Sequence, residues 1–382
     1  MVCSFAALQM QLLARGWLVY QMTSSPLALG IVTAGWGLPM VLFSLPGGAV
    51  ADRVSKIQVI MLTEALMGAV SLVIAILIAV GAIQLWHLVA AAVFTGTAFA
   101  FNIPARQAIV PSLVGEEGML NAYALNMAGN NLMRIVAPAA AGLLVATMGV
   151  AGVYFLTVGL YGVSTLTRAF INLREEPRNR GGNPFLGREL VEGLSFIFRH
   201  PVLPYLLGMT FAVTLLAMPY VYLLPIFATD ILLVGAPGLG WLTAMVGVGA
   251  LAGALWVASM RHFRRAGMLL LGLAVVFGLS LALFSLSRSF TLSLALMLGV
   301  GVGNVGYLAV NQTLVQLHAA PEVRGRVSAV NMMTFGFTPL GVLPISVLAE
   351  VIGAPLAVGA GAVAITLLAL GAMAFVPPLR RL

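Results

Sequence analysis

The chain has 382 residues, 61% of them hydrophobic and only 8% charged, with a mean hydropathy of +1.07. A soluble domain of this size does not need so much apolar surface, so the composition excludes a globular cytosolic enzyme and points to a multi-span membrane protein. The net charge of +8 would indicate nucleic acid in a soluble protein; in a bilayer it sets orientation instead, and no nucleic-acid partner is expected.

Twelve spans are predicted in chain order, near 1–21, 27–51, 57–80, 86–106, 120–147, 152–173, 202–229, 237–260, 266–286, 290–318, 327–350 and 354–376. The stretches 135–167, 266–287 and 327–349 contain no charge at all, and roughly 20 apolar residues suffice to cross a bilayer. Turns fall at Ser25-Pro26, Gly149, Ala236-Pro237 and Ala354-Pro355. The first span begins at residue 1 and carries Gln9, Gln11 and Arg15. No basic leader with a cleavage site precedes it, so no removable signal peptide is expected. Cys3 is the only cysteine, which excludes internal disulfides and cysteine-based zinc sites.

Basic residues test this count. With the N-terminus inside, sixteen of the 19 Lys and Arg fall at or near the cytoplasmic face, Arg106 and Arg168 among them. Arg288 alone falls outside, and Arg15 and Arg134 lie within spans. That asymmetry predicts an even span count with both termini cytoplasmic. The longest polar stretch, 174–200, reads as a cytoplasmic linker with an amphipathic helix carrying Leu190, Leu194, Ile197 and Phe198 on one face. It separates a six-span half, 1–173, from a second, 201–382.

The halves match each other at an offset of 205 residues. Gly30, Gly35, Trp36 and Gly48 meet Gly235, Gly240, Trp241 and Gly253. Gln107 and Val110 meet Gln312 and Val315, while Ala124, Asn126 and Met127 meet Ala329, Asn331 and Met332. A constant offset over three pairs of spans indicates duplication, and two parallel repeats predict a shared cavity exposed alternately to each side.

One loop breaks the symmetry. Gly48, Asp52, Arg53 and Lys56 form a short charged segment between spans 2 and 3, whereas Val257 and Ala258 stand where the repeat would place the acid and base. The glycine permits close approach of a neighbouring helix, and the acid suits the positive N-terminal end of another. A simple turn with topology charges explains the same residues.

Here the chain resembles the major facilitator superfamily. Gly48-x-x-x-Asp52-Arg53-x-x-Lys56 is similar to its signature loop, and Gly16-Trp17, Leu45-Pro46-Gly47-Gly48, Ala105-Arg106-Gln107-Ala108, Asn131-Leu132-Met133-Arg134 and Arg324-Gly325-Arg326-Val327 extend the likeness over nearly the whole chain. The combination resembles the enterobactin-exporter-like branch, or transmembrane secretion effectors, which includes macrolide efflux proteins. Ser55 and Ile57 depart from the family loop, which usually has a glycine and a further base there. The chain also starts later than the family pattern, inside the first helix. Ala137-Pro138-Ala139-Ala140-Ala141-Gly142 loosely resembles an antiporter motif, or is simply a proline-kinked packing seam.

The resemblance implies an all-α integral membrane protein of twelve helices in two pseudo-repeats, in a bacterial cytoplasmic membrane. It implies a secondary transporter, not an enzyme, performing proton-linked efflux of amphiphilic small molecules. Importing a solute through the same fold, or sensing or assembling without transport, are the alternatives. Expected partners are the substrate, protons and the lipid bilayer. No cofactor or metal is expected. Gly301-Val302-Gly303-Asn304-Val305-Gly306 matches a dinucleotide fingerprint, but it lies inside an uncharged helix with no strand before it, so close helix packing explains it, as at Gly249/Gly253 and Gly299/Gly303. Lys56 is the only lysine and has no phosphate loop around it, which excludes an ATP-driven pump in this chain alone.

Three sets of site residues follow. A cytoplasmic gate is expected at Gly48, Asp52, Arg53 and Lys56, closing against the start of span 11 beside Arg324 and Arg326. An electropositive substrate cavity is expected around Arg134 and Arg15, with Gln11, Asn126, Asn130 and Asn131 on the same two helices and Asn304 and Asn331 from the second half. Glu64, the one carboxylate inside a span, is either a proton carrier or the structural partner of a cytoplasmic arginine.

Overall fold

The computed structural model describes residues 2–170, 195–260, 265–319 and, with gaps up to 336, 323–380; the side chains at 45, 49, 51–53, 110–117 and 120 are not described. All regular elements among the described residues are helical. Contacts divide the chain into two units, 1–182 with 234–244, and 183–233 with 245–382.

The first unit is built from α1 (Val2–Thr23), α2 (Pro26–Arg53), α3 (Lys56–Ala79) and a helical run α4 (Leu85–Ala169). Ser25 caps α2, its hydroxyl accepting from the Ala28 amide at 3.3 Å, with Pro26 at the first helical position where no N–H is needed. Gln84 and His87 form a reciprocal cap at the start of α4.

The α4 run is 85 residues long and cannot be straight. The Tyr123 hydroxyl donates to the Gln107 carbonyl at 3.4 Å, whereas sixteen residues of straight helix would separate them by about 24 Å. The chain therefore doubles back between them. The stretch Asn121–Ala169 has 49 residues, about 74 Å of helix against a hydrocarbon core of roughly 30 Å. Gly149, at φ +71°, supplies the break that this excess length demands.

The second unit contains α5 (Leu203–Ala212), α6 (Tyr220–Ile226), most of α7 (Gly235–Ser259), α8 (Ala266–Leu286), α9 (Phe290–His318), α10 (Thr338–Ile352), α11 (Ala354–Phe375) and the short α12 (Pro377–Arg380). α5 and α6 belong to one span, Leu203–Ile231, interrupted by π-helical turns at Val213–Ala217 and Phe227–Ile231. Pro219 and Pro225 lack the N–H donors of a regular ladder, and the chain adapts through longer bonds such as Met218 N–H to Val213 O at 3.1 Å.

Ten stretches among the described residues are long and apolar enough to span a membrane, so this is a multi-pass membrane protein. The predicted count of twelve is not reached among them. Two predicted spans lie in the single Asn121–Ala169 stretch, and only Thr338–Ile352 of the eleventh is described as a helix. The predicted linker lies almost wholly outside the described residues, but within its last turn Ile197 is buried and Phe198 exposed.

The expected glycine seams are present in the second unit. A Cβ at Gly253 would lie 2.6 Å from the Val302 carbonyl, and one at Gly303 2.5 Å from the Phe277 amide, so α7 and α8 meet α9 backbone to backbone. The glycine of the charged loop behaves otherwise. Gly48 has open space where its Cβ would stand, and it is at Gly47 that a Cβ would meet α4, 2.5 Å from the Ala100 carbonyl. The close approach assigned to Gly48 is made by its neighbour, which lies on the buried side of α2.

Candidate functional site

The polar residues of the first unit converge on a buried seam. Thr63 and Glu64 lie on α3, eight residues into the helix, among Val59, Ile60 and Met67. Glu64 is 1% exposed and forms an ion pair with Arg168, which is 6% exposed. A charge this deep persists only when matched. Arg168 Nη1 also donates to Ser164 Oγ at 2.8 Å, and Ser164 Oγ donates to Ser4 Oγ at 3.2 Å. The network thereby ties α1, α3 and the last part of α4 together. Beside it, Asn102 Nδ2 donates to Thr63 Oγ1 at 2.8 Å. Arg106, one turn further along α4, lies within electrostatic reach of Glu64, Arg168 and Tyr161.

A second tier stands two helical turns away. Gln11 Nε2 donates to Ser71 Oγ and to Thr157 Oγ1, the latter at 3.3 Å, and its Oε1 accepts from the Tyr161 hydroxyl at 3.4 Å. Tyr161, 2% exposed, packs with Ala7, Met67 and Ala98 and joins the tiers. Arg15 is half-buried, and its charge reaches Tyr154 and Tyr161.

Next to the first tier is a pocket of about 270 Å3. Its polar wall is Asn102, Arg106, Gln107, Tyr123, Asn126 and Asn130, and its apolar wall is Phe5, Phe99, Ile103 and Met127. Asn130 Nδ2 donates to Asn126 Oδ1 at 3.2 Å, which leaves the buried Asn130 Oδ1 with no hydrogen-bond partner. α4 supplies most of this wall because it doubles back, which sets residues 102–107 against 123–130.

The expected cavity residues therefore divide. Asn126 and Asn130 line the pocket. Gln11 is engaged in helix–helix hydrogen bonds, and Arg15 sits near the tyrosines of the same seam. Asn131 is half-buried and Arg134 exposed, and neither belongs to the wall of this pocket. Asn304 and Asn331 are buried in the second unit; Asn304 Nδ2 approaches the Met218 sulfur at 3.7 Å, and Asn331 Oδ1 has no hydrogen-bond partner. That unit has its own buried polar seam, Asn311 donating to Thr210, whose hydroxyl is 3.3 Å from that of Tyr307.

Of the expected gate, Gly48 is half-buried on α2 and Lys56 opens α3. α2 continues as helix through Asp52 and Arg53, so the true turn is only Val54–Ser55. The side chains of Asp52 and Arg53, and all of Arg324 and Arg326, lie outside the described residues.

Arg106, Arg168, Asn102 and Tyr123 were not among the expected site residues. The two arginines count as topology charges when only their distance from a span end is considered. The signal that distinguishes Arg168 is Glu64 itself, because an acid inside a span requires a base at the same depth.

The sequence model of the transmembrane secretion effector family matches residues 1–381. The multidrug efflux pump Tap of Mycolicibacterium fortuitum is 27% identical over 383 residues, covering 96% of this chain and 91% of that protein. The enterobactin exporter EntS of Shigella flexneri is 28% identical over 276 residues, 70% of this chain and 63% of its own length. Among solved structures, the nucleoside transporter NupG superposes with a TM-score of 0.76 at 14% identity over 98% of this chain and 96% of its own. A bacterial homologue of the human lysosomal transporter Spinster, inward-facing and unoccupied, gives 0.75 at 13% identity, over 97% and 93%.

Proposed function

The chain belongs to the transmembrane secretion effector family of the major facilitator superfamily, and on that premise we propose that it exports small amphiphilic molecules across a bacterial cytoplasmic membrane by alternating access. The observation that carries this reading is the polar pocket around Arg106 inside a bundle otherwise built for lipid. Polar and charged groups at membrane depth are costly, and they line solute pathways where they do not merely pair. Outward transport rests on the likeness to an efflux pump and an exporter.

The basic residues place both termini on the cytoplasmic side in this reading. Proton linkage belongs to the proposal too. Glu64 is the only buried carboxylate among the described residues, and its pairing with Arg168 gives a proton something to displace. Asp52 gates the cytoplasmic side by approaching the positive N-terminal end of the helix that begins near residue 327, a contact worth roughly 0.3–2 kcal/mol. That is enough to bias two conformations that differ by a few kcal/mol.

The test is flux in proteoliposomes containing this chain alone, with an imposed pH gradient and an amphiphilic dye. Gradient-driven dye movement supports export, and its absence with folded protein refutes it. A Glu64→Gln variant that retains pH-dependent flux eliminates the carrier role. Asp52→Asn is expected to insert normally and to increase labelling of cysteines placed at the inner face; unchanged labelling and transport reject the gate.

A further inference from the structure

We propose that a groove between α3 and the start of α4 binds one acyl chain of a bilayer phospholipid, with His87 donating a hydrogen bond to an oxygen at the lipid's polar end. The groove has a volume of about 380 Å3 and shares no lining residue with the pocket beside Arg106. Its walls are drawn from residues 69–77 of α3 and 86–94 of α4. Ala90 and Ala91 leave it hollow between the larger Trp86 and Phe94, and Val70 and Val73 belong to the α3 wall. Val73 is 55% and Phe94 56% exposed, so the groove opens to the outside of the bundle, where a membrane-spanning protein meets lipid.

Its length fits one leaflet. Trp86 and Phe94 are eight residues apart, about 12 Å of helix, and half of a hydrocarbon core of roughly 30 Å is about 15 Å. The groove begins beside the exposed turn that holds Gly81 and Gln84, and so runs inward from the membrane surface. A helix of another chain, about 10 Å across, would need more than twice the volume over that length. Water has too few polar partners on such a wall to fill it.

The polar end is built as an anchor. Of the lining residues only Trp86 and His87 carry polar side-chain atoms. The Trp86 indole N–H donates to Gln84 Oε1 at 2.8 Å, which holds the ring at the interface where tryptophan is favoured. The His87 ring lies 3.8 Å from that of Trp86, and its Nδ1 accepts from the Gln84 amide at 3.0 Å. The neutral imidazole then carries its proton on Nε2, a donor suited to a phosphate or ester oxygen. Lipid tails are as apolar as the groove, so apolar burial alone gives no preference over the bulk bilayer; close packing and this hydrogen bond supply it.

Native mass spectrometry of the purified full chain in detergent, titrated with palmitoyl-oleoyl phosphatidylglycerol, counts the bound lipids without measuring transport, so its outcome is independent of the export reading. One lipid is expected to bind at least tenfold more tightly than any later one. Ala90→Leu/Ala91→Leu, which fills the groove, is expected to weaken that first lipid at least tenfold without lowering the unfolding temperature. His87→Phe, which keeps a ring beside Trp86 and removes the donor, is expected to weaken it severalfold. Graded uptake with no distinct first lipid in the unaltered chain, or an unchanged first affinity in either folded variant, overturns the proposal. Displacement of the lipid by an amphiphilic dye that no longer binds the filled variant also overturns it, since the groove is then a cargo entrance.

Discussion

Removing one or the other charge of the Glu64–Arg168 pair has unequal consequences. Their side chains are 1% and 7% exposed, so neither can turn to water. Glu64→Gln leaves Arg168 buried against a neutral amide, with Arg106 in electrostatic reach as a second positive charge. Stranding a buried charge costs about 3–5 kcal/mol. Arg168→Gln leaves Glu64 charged, but Arg106 then stands as the remaining guanidinium for that acid. The cost falls towards that of losing hydrogen bonds to a charged group, about 1.5–3 kcal/mol. The double variant strands no acid and is expected to be more stable than Glu64→Gln alone, with a coupling energy between the two positions. Reversible unfolding in mixed micelles, by titrating a denaturing detergent, measures the order. If Arg168→Gln is as destabilising as Glu64→Gln, or the double variant is the worst of the three, then Arg106 does not share the acid and the electrostatic argument fails.

Two further outcomes are expected. Gly47→Ala should destabilise the first unit by driving a Cβ against the Ala100 carbonyl, while Gly48→Ala should leave thermal unfolding unchanged because its Cβ meets open space; equal effects would refute the assignment of the contact to Gly47. Burial, and then the charge of His318 beside it, push His200 below its ordinary value of 6.5. Its Nδ1 accepts from the Val202 and Leu203 amides at 3.2 and 3.4 Å, and its ring meets those of Phe196 and His318. With the folded value below the unfolded one, this stabilisation is complete above about pH 6.5 and is lost as pH falls through the folded value. His200→Asn keeps a capping acceptor and should flatten that acid limb in melting curves from pH 5 to 8; an unchanged slope would refute it.

Much of the fold was legible because hydrophobic length and turn residues are local signals. The spans predicted at 266–286 and 290–318 have the bounds the structure gives, with Ser287 to Ser289 between them. The charged loop is shorter than its residue pattern suggests, because neither Pro46 nor the charges stop α2 before Arg53. The π-helical turns near Pro219 and Pro225 were not legible, since proline marks a fault in a helix without fixing how the ladder repairs it. The site was read less well for a related reason. A polar residue in a span announces that it needs a partner, but not whether the partner is a neighbouring helix or a solute. Gln11 found Ser71 and Thr157, whereas Asn126 and Asn130 face a pocket. Counting arginines by distance from span ends treated Arg106 and Arg168 alike, although only the doubling back of α4 decides what each one meets.

The two buried polar seams differ in electrical character. At the offset of 205 residues, Asn102 aligns with Tyr307 and Arg106 with Asn311, while Glu64 and Arg168 align with Leu269 and Met373, so each ionised group of the first seam has an uncharged residue at its place in the second half. Neutral groups of that kind neither gain nor lose protons at physiological pH and respond little to salt. Within the buried seams, sensitivity to acidity and ionic strength thus belongs to the Glu64, Arg106 and Arg168 cluster of the first unit. A chain made by duplicating residues 1–173 would carry the ionised cluster of Glu64, Arg106 and Arg168 twice.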